Sequence, residues 1–275
     1  MRYDKIVATF TKASERVVFM ARKMVITSGK GGVGKTTVAA SLAAYLARKG
    51  QRVALCDADL SLNNIDVATG VENLVTYDIV DVIEGRCRAT QALVQHPDYP
   101  NLFVLTGCHA SPERYVSPQA YKLVLDTLSP KFDFILIDCP SGIEDGFHRA
   151  VASANEAMIV TTPQVSALRD ADKVITLLKS YDFSTITLTV NRVRGDWLLS
   201  GASVSPQAIE KLLKTPLVGI IPEDNDVALS PYPFMHPAIK MLGNNLLYGR
   251  KKLYDVTRRY TGFLGGIRRL LKNNL

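Results

Sequence analysis

One stretch of the sequence combines glycines, lysines and threonines at a spacing that suits phosphate binding. It reads Thr27-Ser28-Gly29-Lys30-Gly31-Gly32-Val33-Gly34-Lys35-Thr36-Thr37 and contains the pattern G-x-x-x-x-G-K-S/T. Glycines let the backbone wrap around a phosphate, while successive N–H groups and a helix N-terminus supply partial positive charge. Lys35 would reach the β- and γ-phosphates of a nucleotide, and the Thr36 hydroxyl would ligate Mg²⁺. The alternative is a glycine-rich turn without a ligand.

Acidic residues follow two apolar runs that are typical of buried strands. Residues 134–137 lead to Asp138, whose carboxylate would hold the shell of a Mg²⁺ ion through water. Residues 53–56 lead to Asp57 and Asp59. Asp59 is a candidate for positioning the attacking water and Asp57 for supporting the metal, since ligands bind at this edge of open α/β sheets. The alternatives are a solvated loop acid for Asp138 and a helix cap or turn acid for the other two.

Alternating strands and helices would position these side chains. The sequence predicts strands over residues 23–27, 52–56, 102–105, 134–137, 157–160, 186–190 and 217–221, and helices over 36–48, 117–128, 144–152, 166–179 and 206–213. Most of the strands are continuous apolar runs, which is typical of strands buried on both faces. The alternation predicts an α/β fold with a doubly wound, mostly parallel sheet and helices on both faces, the three-layer αβα architecture of P-loop NTPases.

Composition excludes several classes of protein. With 47% hydrophobic and 21% charged residues, the chain of 275 residues is neither disordered nor collagen-like nor a disulfide scaffold. No apolar run approaches the ~18 residues of a spanning helix. The four cysteines lie far apart without a CxxC pair, which predicts reduced intracellular thiols and argues against a zinc or cluster site within one chain. The four histidines match no metal-ligand spacing.

Charge is divided unevenly along the chain. The net charge is +7, but residues 1–24 carry +4 and residues 246–275 carry +7, which leaves −4 for residues 25–245. The basic ends therefore predict an anionic surface as partner, and nucleic acid is not expected on the acidic body. We expect three parts: an N-terminal extension (1–22), a nucleotide-binding domain (23–260) and a tail (261–275). One hypothesis places the natural start of translation at Met20 or Met24, and the alternative is that residues 1–19 form a short extra helix.

The last residues form an amphipathic pattern. At ~100° per residue, one stripe is apolar and the opposite face is cationic. The stripe holds Phe263, Leu264, Ile267, Leu270 and Leu271, and the cationic face holds Arg268, Arg269 and Lys272. This pattern predicts a C-terminal amphipathic helix that folds on anionic phospholipid, the alternative being a helix docked on its own domain. A dimer would present two such weak anchors, so dimerisation would switch membrane binding on.

The loop GKGGVGKTT resembles the deviant Walker A signature of the ParA/MinD superfamily of ATPases. The resemblance implies ATP and Mg²⁺ as ligands and an ATP-dependent homodimer. Without the resemblance, Lys30 would be interpreted as a solvent-facing loop lysine. The resemblance implies instead that Lys30 contacts the nucleotide of the partner subunit. Switch regions are similar at residues 57–66 and 138–144. Base recognition is implied for Asn191 and Arg192 and for the loop of Pro222, Glu223 and Asp224.

Three segments, 77–85, 138–144 and 162–172, are similar to the septum-site branch of the superfamily, the MinD family. That resemblance implies peripheral binding to the inner face of a bacterial cytoplasmic membrane. It implies a MinC-like division inhibitor on a face containing Asp170 and Asp172, an activator of MinE type or a topological adaptor, and slow hydrolysis without the activator. Ser61, Asn63 and Ser141 depart from the family pattern, and residues 229–245 match none of it.

Other functions stay open at this point. A ParA-type ATPase that segregates DNA would want basic residues on the body, which carries −4. A flagellar regulator of the FlhG type shares the core and the tail, but its N-terminal activator motif is not visible in residues 1–22. A reductase of the nitrogenase iron-protein type would need paired cysteines, for which Cys108 and Cys139 have no supporting sequence around them.

Overall fold

The computed structural model describes residues 20–60, 64–108, 116–224, 233 and 235–261. Eight strands within these residues form one sheet in the order β3-β4-β2-β5-β1-β6-β7-β8. Their bounds are β1 Arg22–Thr27, β2 Val53–Asp57, β3 Val94–Gln95, β4 Leu102–Leu105, β5 Phe134–Asp138, β6 Glu156–Thr161, β7 Thr185–Val193 and β8 Leu217–Pro222. Every neighbouring pair is parallel except β3 with β4. The prediction of a doubly wound, mostly parallel sheet is confirmed.

Nine α-helices lie in the described residues and pack on the two faces of this sheet. Their bounds are α1 Lys35–Arg48, α2 Ile65–Thr69, α3 Ile79–Ile83, α4 Pro118–Leu128, α5 Asp145–Ala152, α6 Val165–Leu178, α7 Gly195–Ser200, α8 Pro206–Leu213 and α9 Pro237–Tyr248. Helices α1, α2 and α9 cover one face, with Leu42 and Leu242 fully buried between them and the sheet. Helices α3 to α6 and α8 cover the other, where Tyr121 and Ile175 are buried. Each such side chain stabilises the fold by roughly 1.5–3 kcal/mol.

Hydrophobic patterning missed four of these helices and the two-residue strand β3, although the family resemblance implied a helix within residues 77–85, where α3 lies. Helices α2, α3 and α7 have only five or six residues, which is too short for a hydrophobic period to show. Helix α9 contains Gly243, Asn244 and Asn245, which are poor helix formers. Its residues instead make tertiary contacts: a methyl group on Gly243 would lie 2.2 Å from the ring of Tyr45, and the hydroxyl of Tyr45 donates to Asn244 Oδ1 at 2.9 Å.

Several expectations concern residues outside this description. The start of the chain before residue 20, Ser61 and Asn63, most of 229–236 and the amphipathic tail from residue 262 belong to that group. Within the described residues, no helix has both the length and the apolar character that crossing a bilayer requires.

Candidate functional site

The candidate site lies where the carboxyl ends of β1, β2 and β5 meet. The strand order diverges on either side of β1, and such a switch point opens a crevice at the carboxyl edge of the sheet. A cavity of about 200 Å³ lies there. It is lined by Gly31, Gly32, Lys35, Thr36, Asp57, Asp59, Asn64, Asp138, Cys139, Pro140 and Ser141. The structure thus brings together the phosphate loop and all three carboxylates that the sequence singled out.

The glycine-rich loop leads directly from β1 into α1. Gly32 and Gly34 have φ angles of 75° and 92°, a left-handed conformation that glycine adopts without strain. Helix α1 starts at Lys35 with no side-chain cap and no acidic residue in its first turn. Its first N–H groups are therefore free of a side-chain partner and favour an anion. Lys35 is 9% exposed and lines the cavity, as a phosphate-binding lysine requires.

Two glycines of the loop have different surroundings. A methyl group on Gly29 would lie 2.2 Å from the carbonyl carbon and oxygen of Asp170, so the loop packs against the backbone of α6. A methyl group on Gly31 would meet only Ser141, at 3.5 Å from its Oγ. Gly29 is therefore required for close packing, whereas Gly31 faces the open cavity.

Thr36 and Asp138 are directly bonded. The Thr36 hydroxyl donates to Asp138 Oδ2 at 2.6 Å, while Asp138 Oδ1 is buried and has no hydrogen-bond partner. Burial raises the pKa of Asp138 to about 6, although the Thr36 hydrogen bond and the Lys35 ammonium act in the opposite direction. An unpartnered carboxylate oxygen beside a threonine hydroxyl fits a hydrated Mg²⁺ ion.

Asp57 and Asp59 lie on the neighbouring strand end. Asp57 Oδ1 accepts from the Asp59 backbone N–H at 2.8 Å, and the Tyr121 hydroxyl donates to the Asp57 carbonyl at 2.9 Å. Burial, and after it the charge of Asp138, raises the pKa of Asp57 well above its usual range. Asp59 is half-buried and lines the cavity beside the phosphate loop.

These side chains do not form a complete metal site by themselves. Among the described residues, no group of three or more His, Cys, Asp or Glu side chains could hold a metal ion. The Thr36 hydroxyl and the free Asp138 oxygen suit Mg²⁺, but phosphate oxygens and water would have to supply its other ligands. Metal and nucleotide would therefore bind together.

Other residues of the loop have contacts outside the cavity. The Lys30 ammonium donates to Ser166 Oγ on α6 at 2.8 Å. Val33 is buried, with its carbonyl accepting from Asn191 Nδ2 at 2.8 Å, and Thr37 is exposed in the first turn of α1. The contact between Lys30 and Ser166 could not be predicted, because nothing in the sequence indicates that α6 lies against the loop.

The residues predicted for base recognition surround the end of β7. The pairing of β7 with β8 is irregular between Val190 and Val193, and Arg192 has a φ of 54° within this bulge. Bulges re-aim side chains, and left-handed φ in a non-glycine residue is strained. Asn191 points to the phosphate loop, and its Nδ2 lies 2.5 Å from the position that a methyl group on Gly34 would occupy. Arg192 is exposed.

A second cavity, of about 340 Å³, lies beside these residues. It is lined by Thr162, Pro163, Gln164, Val165, Arg192, Arg194, Trp197, Ala202, Ser203, Val204 and Glu223. Pro222 and Asp224 flank Glu223 at the end of β8 and do not line it. Arg194 lies 4.3 Å from the Trp197 ring centre and donates to Asp196. Sequence reasoning missed Arg194 and Trp197, for which no local motif gave a signal.

The predicted partner-binding residues Asp170 and Asp172 differ in their surroundings, and their role stays a prediction. Both lie on α6, where residues two apart point about 200° away from each other. Asp170 is half-buried, has its backbone against Gly29 and pairs with Lys173 at 3.4 Å. Asp172 is exposed. The predicted membrane-binding residues, 263–272, lie outside the described residues.

Comparison with known proteins gives consistent matches. The profile of the CobQ/CobB/MinD/ParA nucleotide binding domain matches residues 24–235. The septum site-determining protein MinD of Synechocystis is 45% identical over 211 residues, covering 77% of this chain and 79% of the relative. The MinC:MinD cell division complex of Aquifex aeolicus superposes with a TM-score of 0.77 at 37% identity, over 84% of this chain and 97% of the other. MinD of Pyrococcus horikoshii, solved with Mg-ADP, has a TM-score of 0.75 at 31% identity over 83% and 97%.

Proposed function

Because this chain belongs to the CobQ/CobB/MinD/ParA nucleotide-binding family, and within it to the MinD branch, we propose that it is an ATPase of cell division that cycles on and off a membrane. The observation that best supports ATPase activity is the hydrogen bond between Thr36 and Asp138 beside the buried Lys35, next to the phosphate loop. That geometry places a hydroxyl, a carboxylate and a cation around one cavity. Phosphoryl transfer needs mainly positioning and charge neutralisation, which this set supplies.

Each residue of the loop has a distinct task in binding the phosphates. The backbone N–H groups from Gly29 to Thr37 would surround them, and Lys35 would neutralise the β- and γ-phosphates. Thr36 and Asp138 would hold Mg²⁺, with Asp57 supporting it through water. When bound, Mg²⁺ would neutralise charge on the phosphate oxygens. A Mg-ADP complex of the Pyrococcus relative supports this assignment.

Hydrolysis would depend on Asp59 and Lys30. Asp59 lies at the cavity wall beside Asp57 and would orient the attacking water. Lys30 in a single chain bonds to Ser166 at 2.8 Å, so it is available for exchange to a new partner. In an ATP-bound homodimer it would leave Ser166 and contact the partner subunit's nucleotide. Because a monomer lacks this contact, hydrolysis would require the dimer. Hydrolysis without an activator would be slow.

The nucleotide base would bind next to the end of β7. Asn191 links this position to the phosphate loop through Val33, and Arg192 is re-aimed by the bulge. Pro222, Glu223 and Asp224 follow the neighbouring strand. The cavity between Arg192 and Glu223 is large enough for a planar base.

Membrane binding would belong to the tail. The apolar stripe with Phe263 and Ile267 would enter an anionic phospholipid surface at the inner face of the cytoplasmic membrane, and Arg268, Arg269 and Lys272 would face the headgroups. One anchor is weak, and two on a homodimer bind with a raised effective concentration. ATP would therefore favour the membrane and hydrolysis would release the protein.

Partners would complete the placement of the division septum. A MinC-like inhibitor would bind the dimer, and the Aquifex MinC:MinD complex supports this partner. Asp172 is exposed for such a contact, while Asp170 would act through the loop that it touches. An activator of MinE type or an adaptor protein would set the rate of hydrolysis.

Sedimentation with vesicles tests the proposal as a whole. Protein in ATP should pellet with vesicles containing phosphatidylglycerol and should stay in solution in ADP or with neutral vesicles. The Phe263→Glu/Ile267→Glu variant should lose pelleting and keep ATP binding. Lys35→Met should lose both, while Lys30→Met should bind ATP and fail to dimerise. Pelleting in neither nucleotide would contradict the membrane cycle and turn attention to DNA binding.

A further inference from the structure

Residues 249–261, which we call the edge strap, follow α9 and are anchored near both ends of β8, the last strand of the sheet. At one end, Asn245 Nδ2 donates to the carbonyls of Val218 at 2.9 Å and of Lys252 at 2.8 Å. At the other end, a methyl group on Gly195 would lie 2.1 Å from the carbonyl oxygen of Val256. Val218 is near the amino end of β8, and Gly195 opens α7 beyond the carboxyl end of β7. The strap therefore follows the strand from its amino end to its carboxyl end.

Apolar and polar contacts fix the strap to the body. Tyr254 packs against the hydrophobic clusters on both faces of the sheet, so its side chain lies at the sheet edge. Its ring also contacts that of His236, with 5.0 Å between the ring centres. Asn245, which holds the backbone of Lys252, is 6% exposed. These anchors fix the backbone of the strap over the edge strand, and its outer side chains stay exposed.

Those outer side chains are predominantly cationic. The strap holds five basic residues, all exposed, and one acidic residue: Arg250, Lys251, Lys252, Arg258, Arg259 and Asp255. The carboxylate of Asp255 accepts from the backbone and hydroxyl of Thr257 at 2.9 and 2.6 Å, and Arg259 lies 4.0 Å from Asp224. Within the described part of the chain, no carboxylate forms an ion pair with Arg250, Lys251 or Lys252.

The position of this charge matters as much as its sign. Residues 25–245 carry −4, so the strap is a local exception on an acidic body. Its last residue, Thr261, directly precedes the amphipathic segment, which contributes three further cations. More of the basic charge after residue 245 is therefore on the strap than on the tail.

We propose that the edge strap is a second membrane contact, through which the β8 side of the body lies against anionic phospholipid headgroups. The proposal rests on the membrane cycle proposed above and assigns the orientation of the body within it. Once the tail from residue 262 is inserted, the strap is held within a few residues of the bilayer surface. There each cation strengthens binding about fivefold at moderate ionic strength. Nucleic acid fits less well, because the acidic remainder of the body would repel a polyanion that extends beyond the strap.

The test compares two triple variants in full-length, ATP-bound protein. Arg250→Gln/Lys251→Gln/Lys252→Gln should weaken binding to vesicles of phosphatidylcholine and phosphatidylglycerol roughly ten- to hundredfold and reduce its dependence on salt. The matched control, Arg88→Gln/Lys122→Gln/Lys131→Gln, removes three exposed cations from the far half of the sheet and should bind like the parent. Basal ATP hydrolysis and thermal unfolding should be unchanged in both.

Further variants separate charge, strap and tail. The exchange Arg250→Lys/Lys251→Arg/Lys252→Arg keeps the charge and should bind like the parent, and a loss there would overturn the proposal. Parental binding and salt dependence in the glutamine variant would also overturn it. Retained binding in Phe263→Glu/Ile267→Glu would instead contradict the proposed function. A strap variant that loses binding to duplex DNA and keeps binding to vesicles would assign the strap to nucleic acid.

Discussion

Asp57 and Asp138 end two neighbouring parallel strands at the same level, and both face the cavity beside the phosphate loop. Their side chains are 2% and 5% exposed, so two carboxylates share a site with little solvent. Burial raises the pKa of each, and their mutual repulsion adds to this for Asp57. The pair is therefore poised to accept a cation, and the protein without one carries unfavourable charge at neutral pH.

The pKa of Asp138, which burial raises, predicts a stability that depends on pH. In the folded, metal-free protein the pKa of Asp138 is about 6, against an ordinary value of 3.8, so the folded state binds more protons between these values. Stability should therefore fall as pH rises from about 4 to about 6, by at most about 3 kcal/mol for this group. The Asp138→Asn variant should lack this component.

Urea unfolding of both proteins at several pH values measures the difference. The parent should gain stability relative to Asp138→Asn as the pH falls below about 6. Saturating Mg²⁺ with nucleotide should remove most of the difference in stability between the two proteins at neutral pH. A difference that is constant with pH would contradict the raised pKa.

Two glycine substitutions in one loop should have opposite outcomes. Gly29→Ala places a methyl group 2.2 Å from the backbone of Asp170 and should destabilise the protein by roughly 1–3 kcal/mol. Gly31→Ala is the matched control, with Ser141 Oγ at an ordinary 3.5 Å, and should change stability by less than about 0.5 kcal/mol. Chemical unfolding without nucleotide measures both, and equal effects would mean that α6 does not pack tightly on the loop.

The hydroxyl of Ser141 should distinguish nucleoside triphosphate from diphosphate. Ser141 lines the cavity opposite Gly31, near Lys35 and Asp138, where the terminal phosphate would lie. Ser141→Ala should weaken ATP binding about three- to tenfold, the value of one hydrogen bond of about 1 kcal/mol, and leave ADP binding unchanged. Calorimetric titration with a non-hydrolysable ATP analogue and with ADP checks this. An equal loss for both ligands would place the hydroxyl elsewhere.

The four cysteines should divide into two reactivity classes. Cys56 and Cys139 are buried. Burial raises the pKa of the Cys56 thiol, and it raises the pKa of the Cys139 thiol to about 12. Neither thiol therefore forms the reactive thiolate at neutral pH. Cys87 and Cys108 are partly exposed. A chromogenic disulfide reagent should therefore modify two thiols in the native protein and four after unfolding. Fast reaction of the reagent with the native Cys87→Ser/Cys108→Ser variant would contradict the burial of Cys56 and Cys139.

The sequence by itself determined the class of fold and singled out the phosphate loop and the carboxylates that meet at the candidate site. The spacing from Gly29 to Thr36 reflects a local backbone requirement, and Asp138 ends an apolar run that the structure confirms as the buried strand β5. Predicted strand and helix bounds differ from those observed by at most three residues, because a continuous apolar run or a 3.6-residue period is a property of the local chain. The short helices α2, α3 and α7 and the strand β3 gave too few residues for such a period.

Tertiary structure alone decided which surfaces meet. The contacts of Gly29 with Asp170 and of Lys30 with Ser166 join segments more than 130 residues apart, and no local pattern specifies them. Helix α9 forms despite Gly243 and its neighbouring asparagines, because tertiary contacts with Tyr45 outweigh weak local propensity. The basic strap was visible only as a charged stretch of sequence, since its course along β8 depends on Asn245 and Tyr254 reaching distant partners.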